Sequence, residues 1–140
     1  MKLLKDGKTV IANNLRGLSM PINGMYVAYG TSKESAAPEA NYNYFKSLGN
    51  QEGRGYARIS VTSSELKEDG TLVFSGMLTV DDLIGASVAD DTVLTTATLV
   101  HMPNANKLDD LFVYSAVLKN NIKIVPGTYI VVNVGISIGD

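Results

Sequence analysis

Apolar and polar residues alternate along several short segments of this chain. A period of two residues is typical of a β-strand with one buried face. The clearest of these segments has its apolar positions at Ile130, Val132, Val134, Ile136 and Ile138. It contains no charged residue, whereas edge strands are usually protected by charged side chains, so we expect a central core strand there.

Other segments repeat this pattern around short turns. Alternating residues precede and follow Asp69-Gly70, and Asp6-Gly7 separates two short apolar runs near the start of the chain. An Asp-Gly pair accepts the positive φ angles of a tight hairpin turn, so both pairs predict hairpins. Further strands are predicted over 92–102, over 111–118, and on both sides of the turn at Pro126-Gly127.

Two segments favour short helices over strands. In the first, Pro38 suits a helix start and Gly49 suits a helix end, while Tyr42, Phe45 and Leu48 would share one face. The second, residues 80–88, allows one helical turn. Evenly spaced strands predict an all-β fold, a jelly-roll-like β-sandwich with at most one short helix. We expect residues 1–20 to form an N-terminal arm or hairpin and residues 21–140 to form a single domain.

Charge is distributed unevenly. The net charge is −2, yet residues 1–20 hold four basic residues against one acid, which gives +3 there and −5 elsewhere. The overall acidity argues against nucleic-acid binding, which needs a basic surface. A basic arm suits an acidic protein partner, while a merely solvated segment is the simpler interpretation. The basic residues of this arm are Lys2, Lys5, Lys8 and Arg16.

Tyrosine is the commonest aromatic residue, with seven Tyr against three Phe and no Trp. A Tyr side chain has one apolar end and one polar end, which suits interfaces as well as strand faces. Tyr26 and Tyr29 are therefore predicted, together with the basic arm, to contact a partner. Strand propensity alone would also explain the tyrosines.

Reactive groups do not converge in this sequence. His101 is the single imidazole, and a surface or hydrogen-bonded structural role is expected for it. The stretch GNQEGRG, residues 49–55, lacks the Lys-Ser/Thr of a phosphate loop and precedes a strand, so a solvated loop is expected. No catalytic residue, metal or cofactor is predicted. Turn and capping roles are expected for three adjacent pairs: Asp81-Asp82, Asp90-Asp91 and Asp109-Asp110.

No targeting segment is expected. Lys5, Asp6 and Lys8 interrupt the apolar stretch that a signal peptide would need, and no run approaches the roughly 18 apolar residues of a membrane helix. Synthesis and folding in the cytoplasm are expected, with no membrane partner.

Three stretches in a fixed order carry a resemblance: INGMYVAYG (22–30), YNYFKSL (42–48) and GYARISV (55–61), followed by a Thr/Leu-rich strand pair and the ending IVVNVGISI. The chain resembles small virion structural proteins of tailed bacteriophages, in particular capsid decoration or cement proteins. It departs from their pattern at Ser60 and Val134, where Pro and an aromatic residue are usual. Residues 1–20 are extra.

The resemblance implies a non-enzymatic protein of the capsid surface. Its partner would be the major capsid protein, it would form a homo-oligomer (dimer or trimer), and it would stabilise contacts between capsid subunits. One alternative is a tail or head fibre module that binds a receptor or glycan through the loops 31–43 and 101–110. Another is a small β-barrel enzyme or ligand carrier, which would need a closed apolar pocket with convergent polar groups.

Overall fold

The computed structural model describes residues 2–85, 87–88 and 90–137. These residues form eight strands and two α-helices, with 3₁₀ turns at Val80–Asp82 and Lys107–Asp109. The elements are β1 (Lys2–Leu3), α1 (Lys5–Leu15), β2 (Gly24–Gly30), α2 (Tyr42–Gly49), β3 (Gly55–Leu66), β4 (Thr71–Leu78), β5 (Leu83–Gly85), β6 (Val93–His101), β7 (Leu111–Val117) and β8 (Ile130–Ser137).

The strands form one antiparallel sheet that curls into two facing layers. Their order is β1-β7-β6-β2-β3-β4-β8, and β5 also pairs with β3. Strand β3 belongs to both layers, because its first half pairs with β2 and its second half with β4. A register shift between Val61 and Ser63 marks the bend. The predicted all-β class is confirmed, and two α-helices are present where at most one short helix was predicted.

The main core lies between the two layers. Met25 and Val27 of β2 and Leu99 of β6 face inward from one layer, and Phe74 of β4 faces them from the other. The alternation of β8 is confirmed over the described residues, since its even-numbered positions 130 to 136 are buried and its odd-numbered positions are exposed. The predicted position Ile138 lies outside the described residues.

The position predicted for β8 in the sheet is wrong, although its buried face is right. Within the described residues, β8 pairs with β4 on one edge and with no strand on the other. It is therefore an edge strand without a charged residue. The inner face is apolar because it covers the core, and that requirement is independent of how many neighbours the strand has.

A second core lies on the other side of β2, under helix α2. Tyr26 is central to it, with ring centroids 4.8 Å from Phe45 and 4.9 Å from Phe112. The predicted helix ending near Gly49 is confirmed, and Phe45 and Leu48 form its buried face. Its start is Tyr42 rather than Pro38, because the side chain of Asn41 caps the helix by accepting a hydrogen bond from the Tyr44 amide.

The hairpin predicted at Asp6-Gly7 is wrong, because both residues lie in helix α1. Gly7 is buried where the helix crosses β7, and a Cβ there would overlap the carbonyl oxygen of Val113 and lie 2.9 Å from its Cα. The glycine therefore permits a close helix-to-sheet contact and does not form a turn. The buried side chains of Leu4 and Val10 complete that contact.

Residues 2–20 belong to the domain and do not form a separate arm. Strand β1 adds to the edge of β7 through the pairs Lys2–Ser115 and Leu3–Tyr114, and α1 packs on the same strand. The chain that follows α1 is held by the Asn14 side chain, which accepts from the Met20 amide at 2.8 Å and donates to the Met20 carbonyl at 2.9 Å. Strand β1 and helix α1 therefore both lie against β7.

Candidate functional site

Helix α1 places three of the four predicted basic residues on its solvent side. Lys5 and Lys8 lie one turn apart, opposite the buried Val10, and Arg16 caps the end of the helix on the same side. All three side chains are exposed, and within the described residues none forms an ion pair with an acidic group. Lys2 differs, because it forms an ion pair with Glu39 and is half-buried. The helix thus presents three unpaired cations.

The end of α1 adds two exposed apolar side chains to these cations. Gly17 has a φ of 87°, the Gly17 amide donates to the Asn14 carbonyl, and the Leu18 amide donates to the Asn13 carbonyl at 2.9 Å. This is a Schellman motif, which ends the helix in a fixed geometry.

The Schellman turn leaves Leu15 85% exposed and Leu18 51% exposed. We call the resulting patch the α1 surface: Lys5, Lys8, Leu15, Arg16 and Leu18. Protein interfaces commonly combine exposed apolar and charged side chains, and the α1 surface has cations along the helix and two leucines at its end. A partner with acidic groups beside an apolar depression would complement it.

The two tyrosines predicted to meet a partner are buried, so that prediction is corrected. Tyr26 is 0% and Tyr29 1% exposed. Both belong to β2, which has a sheet layer on one side and α2 on the other, so every residue of this strand is buried. Their hydroxyl groups lie inside the domain and cannot reach a partner chain.

An internal polar cluster joins β2, β3 and the loop before β7. The Arg58 guanidinium donates two hydrogen bonds to the buried Asp110 carboxylate, at 2.7 and 2.8 Å, and a third to the Asn104 carbonyl. The Tyr26 hydroxyl donates to the same carboxylate at 2.5 Å. No sequence pattern predicts this cluster, because Arg58 and Tyr26 lie 52 and 84 residues from Asp110 along the chain.

Electrostatics in this cluster favour a fixed, neutral Tyr26 hydroxyl. Burial and the hydrogen bond to Asp110 raise the pKa of Tyr26 well above its ordinary range. The hydrogen bond to Asp110 raises the pKa of Arg58, which stays a cation. The Asp110 carboxylate is buried and both its oxygens accept hydrogen bonds. The cluster therefore holds β2, β3 and the loop before β7 together and offers no open position to a substrate.

Three of the other residues considered for chemistry, His101, Asp82 and Asp109, have structural hydrogen-bond partners. His101 Nδ1 lies 2.7 Å from the Pro21 carbonyl oxygen, so the ring nitrogen donates to it. Asp82 caps a 3₁₀ turn by accepting from the Thr79 amide, and Asp109 accepts from Asn104 at 3.0 Å. The described residues contain no group of three or more His, Asp and Glu arranged to hold a metal.

The glycine-rich loop before β3 serves packing. The expectation of a solvated loop holds for Gln51 and Glu52, which are exposed, whereas Arg54 is half-buried in an ion pair with Glu34. A Cβ at Gly55 would overlap the Ile84 carbonyl and the Tyr29 hydroxyl, so this position requires glycine for close approach of three segments. That steric requirement accounts for Gly55, while Gly53 has a φ of 73°, which favours glycine in the turn.

No family model, curated protein or solved structure matches the chain. None of the described helices has the length and apolar character needed to span a membrane.

Proposed function

We propose that the protein is a non-enzymatic structural protein of a tailed-phage virion, which binds the outer capsid surface and stabilises contacts between major capsid protein subunits. The α1 surface is the observation that carries this proposal. It combines unpaired cations with exposed leucines on a helix that is fixed to its own sheet. Such a surface binds without a large ordering cost, because the helix is already formed.

A rigid domain of this kind stabilises an assembly by linkage. A protein that binds the assembled shell but not free subunits shifts the assembly equilibrium toward the shell. Each contact can be weak when many copies act on one particle, because the summed free energy increases with copy number. The domain supplies what that role needs, namely a stable core and a preformed contact surface.

Binding to purified capsids tests the proposal directly. The protein is mixed with capsids of the phage that encodes it, and co-sedimentation and cryo-electron microscopy report binding and position. We expect saturable binding and density on the outer shell, with α1 facing the capsid protein. Absence of binding, or density confined to the tail, contradicts the proposal.

A second candidate function, a tail or head fibre module, is favoured by the loop between β6 and β7. Leu108 is 73% exposed in a loop that is held firmly, since Arg58 binds the Asn104 carbonyl and Asn106 caps the 3₁₀ turn at the Leu108 amide. The other proposed recognition loop, residues 31–43, is tied to the domain by Lys33 and Glu34. Binding to host cells with no binding to capsids would support this alternative.

A further inference from the structure

The curled sheet leaves a groove between two strand edges. Two adjoining cavities of about 350 and 290 Å³ lie between β7 and β8 and share Val117, Leu118, Lys119 and Asn133. The buried side chains of Leu118 and Val134 form part of their lining. We call this groove the strand slot, bounded by residues 116–119 on one side and 131–135 on the other.

The β7 wall of the slot presents free backbone groups. The Leu118 amide donates to the Thr95 carbonyl at 2.9 Å, toward β6. Consecutive residues of a strand direct their backbone groups to opposite edges, so the amide and carbonyl of Val117 point away from β6 and into the slot. Among the described residues, no strand pairs with this part of the β7 edge.

The β8 wall lacks the features that usually protect an edge strand. No charged residue occurs in β8, and its pairing with β4 continues in register from Ile130 to Ser137 without a bulge. Proteins normally protect such edges with lysines, prolines or bulges, because unpaired backbone groups attract other strands. An unprotected edge facing a second unpaired edge therefore suits a strand that pairs with both.

Strand β1 shows how such a strand would be oriented. It already occupies the neighbouring part of the β7 edge, where Lys2 pairs with Ser115 in the antiparallel sense. Five successive antiparallel pairings connect β7 to β8 around the sheet, so the two walls run in opposite senses. A strand in line with β1 would be antiparallel to β7 and parallel to β8.

We infer that the strand slot binds an extended, uncharged segment of the partner protein as an added strand. Alternate apolar side chains of that segment would cover Leu118 and Val134, and the others would face Lys119 and Asn133. The inference builds on the proposed function, because α1 packs on β7 and a partner on the α1 surface lies beside the same strand. Strand addition of this kind gains affinity from backbone hydrogen bonds.

The walls of the slot favour a single segment over a second copy of this chain. A copy would present β8 as the edge of a folded sheet, joined to β4 over its whole length. The β8 edge of a copy would bring β4 and the rest of its sheet into the slot, whereas an extended segment brings one strand that can pair with both walls. A short extended peptide meets this requirement.

A strand supplied in the same chain tests the slot without any partner. Val-Thr-Val-Thr is added ahead of residue 1, where the register of β1 places its second Val opposite Leu118 and its last Thr opposite Val117. The matched control adds Gly-Ser-Gly-Ser. In a second arm, the blocked peptide acetyl-Thr-Val-Thr-Val-Thr-amide is added to the unmodified protein. Amide hydrogen exchange is measured by NMR, and sedimentation reports the oligomeric state.

We expect the added strand to slow exchange of the Val117 amide by about tenfold or more, and to slow exchange along the free edge of β8, in a monomeric protein. The Gly-Ser control should change neither, and the free peptide should give the same pattern at high concentration.

Unchanged exchange in both arms overturns the inference, as does equal protection by the Gly-Ser control. Protection accompanied by oligomers also overturns it, because the slot would then serve a second copy. Capsid binding plays no part in this readout, so failure here leaves the proposed function standing.

Discussion

Asp110 shows how one buried side chain fixes three separate parts of the chain. Its carboxylate is 0% exposed and would be costly to bury alone. Two hydrogen bonds from Arg58 and one from Tyr26 offset that cost and connect β2 and β3 to the loop before β7. A well-bonded buried pair adds little net stability, but breaking it by removing one partner is strongly destabilising.

We predict that Arg58→Met lowers the free energy of unfolding by about 3 kcal/mol, because Asp110 is left buried without its cation. Urea denaturation measures the effect. Arg16→Met is the matched control, since Arg16 is exposed, and its effect should be within about 0.5 kcal/mol. Equal stability of the two variants would contradict the claim that Arg58 compensates the buried charge of Asp110.

A second prediction concerns alkaline pH. Burial raises the pKa of Tyr26, Tyr29, Tyr44 and Tyr56 in the folded protein. Their contribution to stability is therefore complete below the unfolded-state pKa of about 10, and it is lost as pH rises from there toward the folded pKa. Between pH 9 and about 11, wild type should lose more stability than Tyr26→Phe, as measured by urea denaturation at each pH. Parallel losses would show that Tyr26 is not held protonated by the fold.

At the scale of elements, the sequence predicts β8 by its alternation and β6 by its strand-favouring Thr and Val residues, but it does not predict β2 as a strand. β8 alternates because one side meets solvent, and the turn at Asp69-Gly70 is confirmed between β3 and β4. β2 is buried on both faces, so it has no alternation to detect. For α1, the turn predicted from the Asp6-Gly7 pair is wrong, because the sequence does not show that β7 passes close to Gly7.

We predict that Gly7→Ala destabilises the protein, although the same change in an open helix stabilises by roughly 0.5–1 kcal/mol. The added methyl group would overlap the Val113 backbone and push α1 from the sheet, at a cost of about 1–3 kcal/mol. Thr9→Ala is the control on the exposed side of the helix and should be neutral or slightly stabilising. Thermal melting compares the two. A Gly7→Ala protein that melts above wild type would show that the close contact is absent.

A matched pair of substitutions tests the burial pattern of β8. Val134 is 3% exposed and Val131 is 52% exposed, so the same change to Lys meets the core in one case and solvent in the other. Val134→Lys should cost several kcal/mol and unfold much of the protein at room temperature. Val131→Lys should change the melting temperature by only a few degrees. Similar melting temperatures for both would contradict the assigned faces.

At the scale of the whole molecule, the sequence predicted the charges of the α1 surface but not its form. The excess of basic residues in 1–20 singled out Lys5, Lys8 and Arg16, and the structure places them on one exposed side of α1. Leu15 and Leu18 were missed, because their exposure depends on the Schellman turn at Gly17. Tyr26 and Tyr29 were misplaced, because composition does not distinguish a buried strand from an interface.

The measurement that tests the account most directly is capsid binding by a charge-reversed α1 surface. The variant Lys5→Glu/Lys8→Glu/Arg16→Glu is compared with Lys46→Glu/Lys67→Glu/Lys123→Glu, which makes the same change in net charge at exposed positions elsewhere. Both variants should melt close to wild type, because all six side chains are on the surface.

Co-sedimentation with capsids at physiological salt then separates the two variants. We predict that the α1 variant binds about tenfold or more weakly and that the control variant binds within about threefold of wild type. Wild-type binding by the α1 variant, or an equal loss in both, would contradict the assignment of the α1 surface as the docking site.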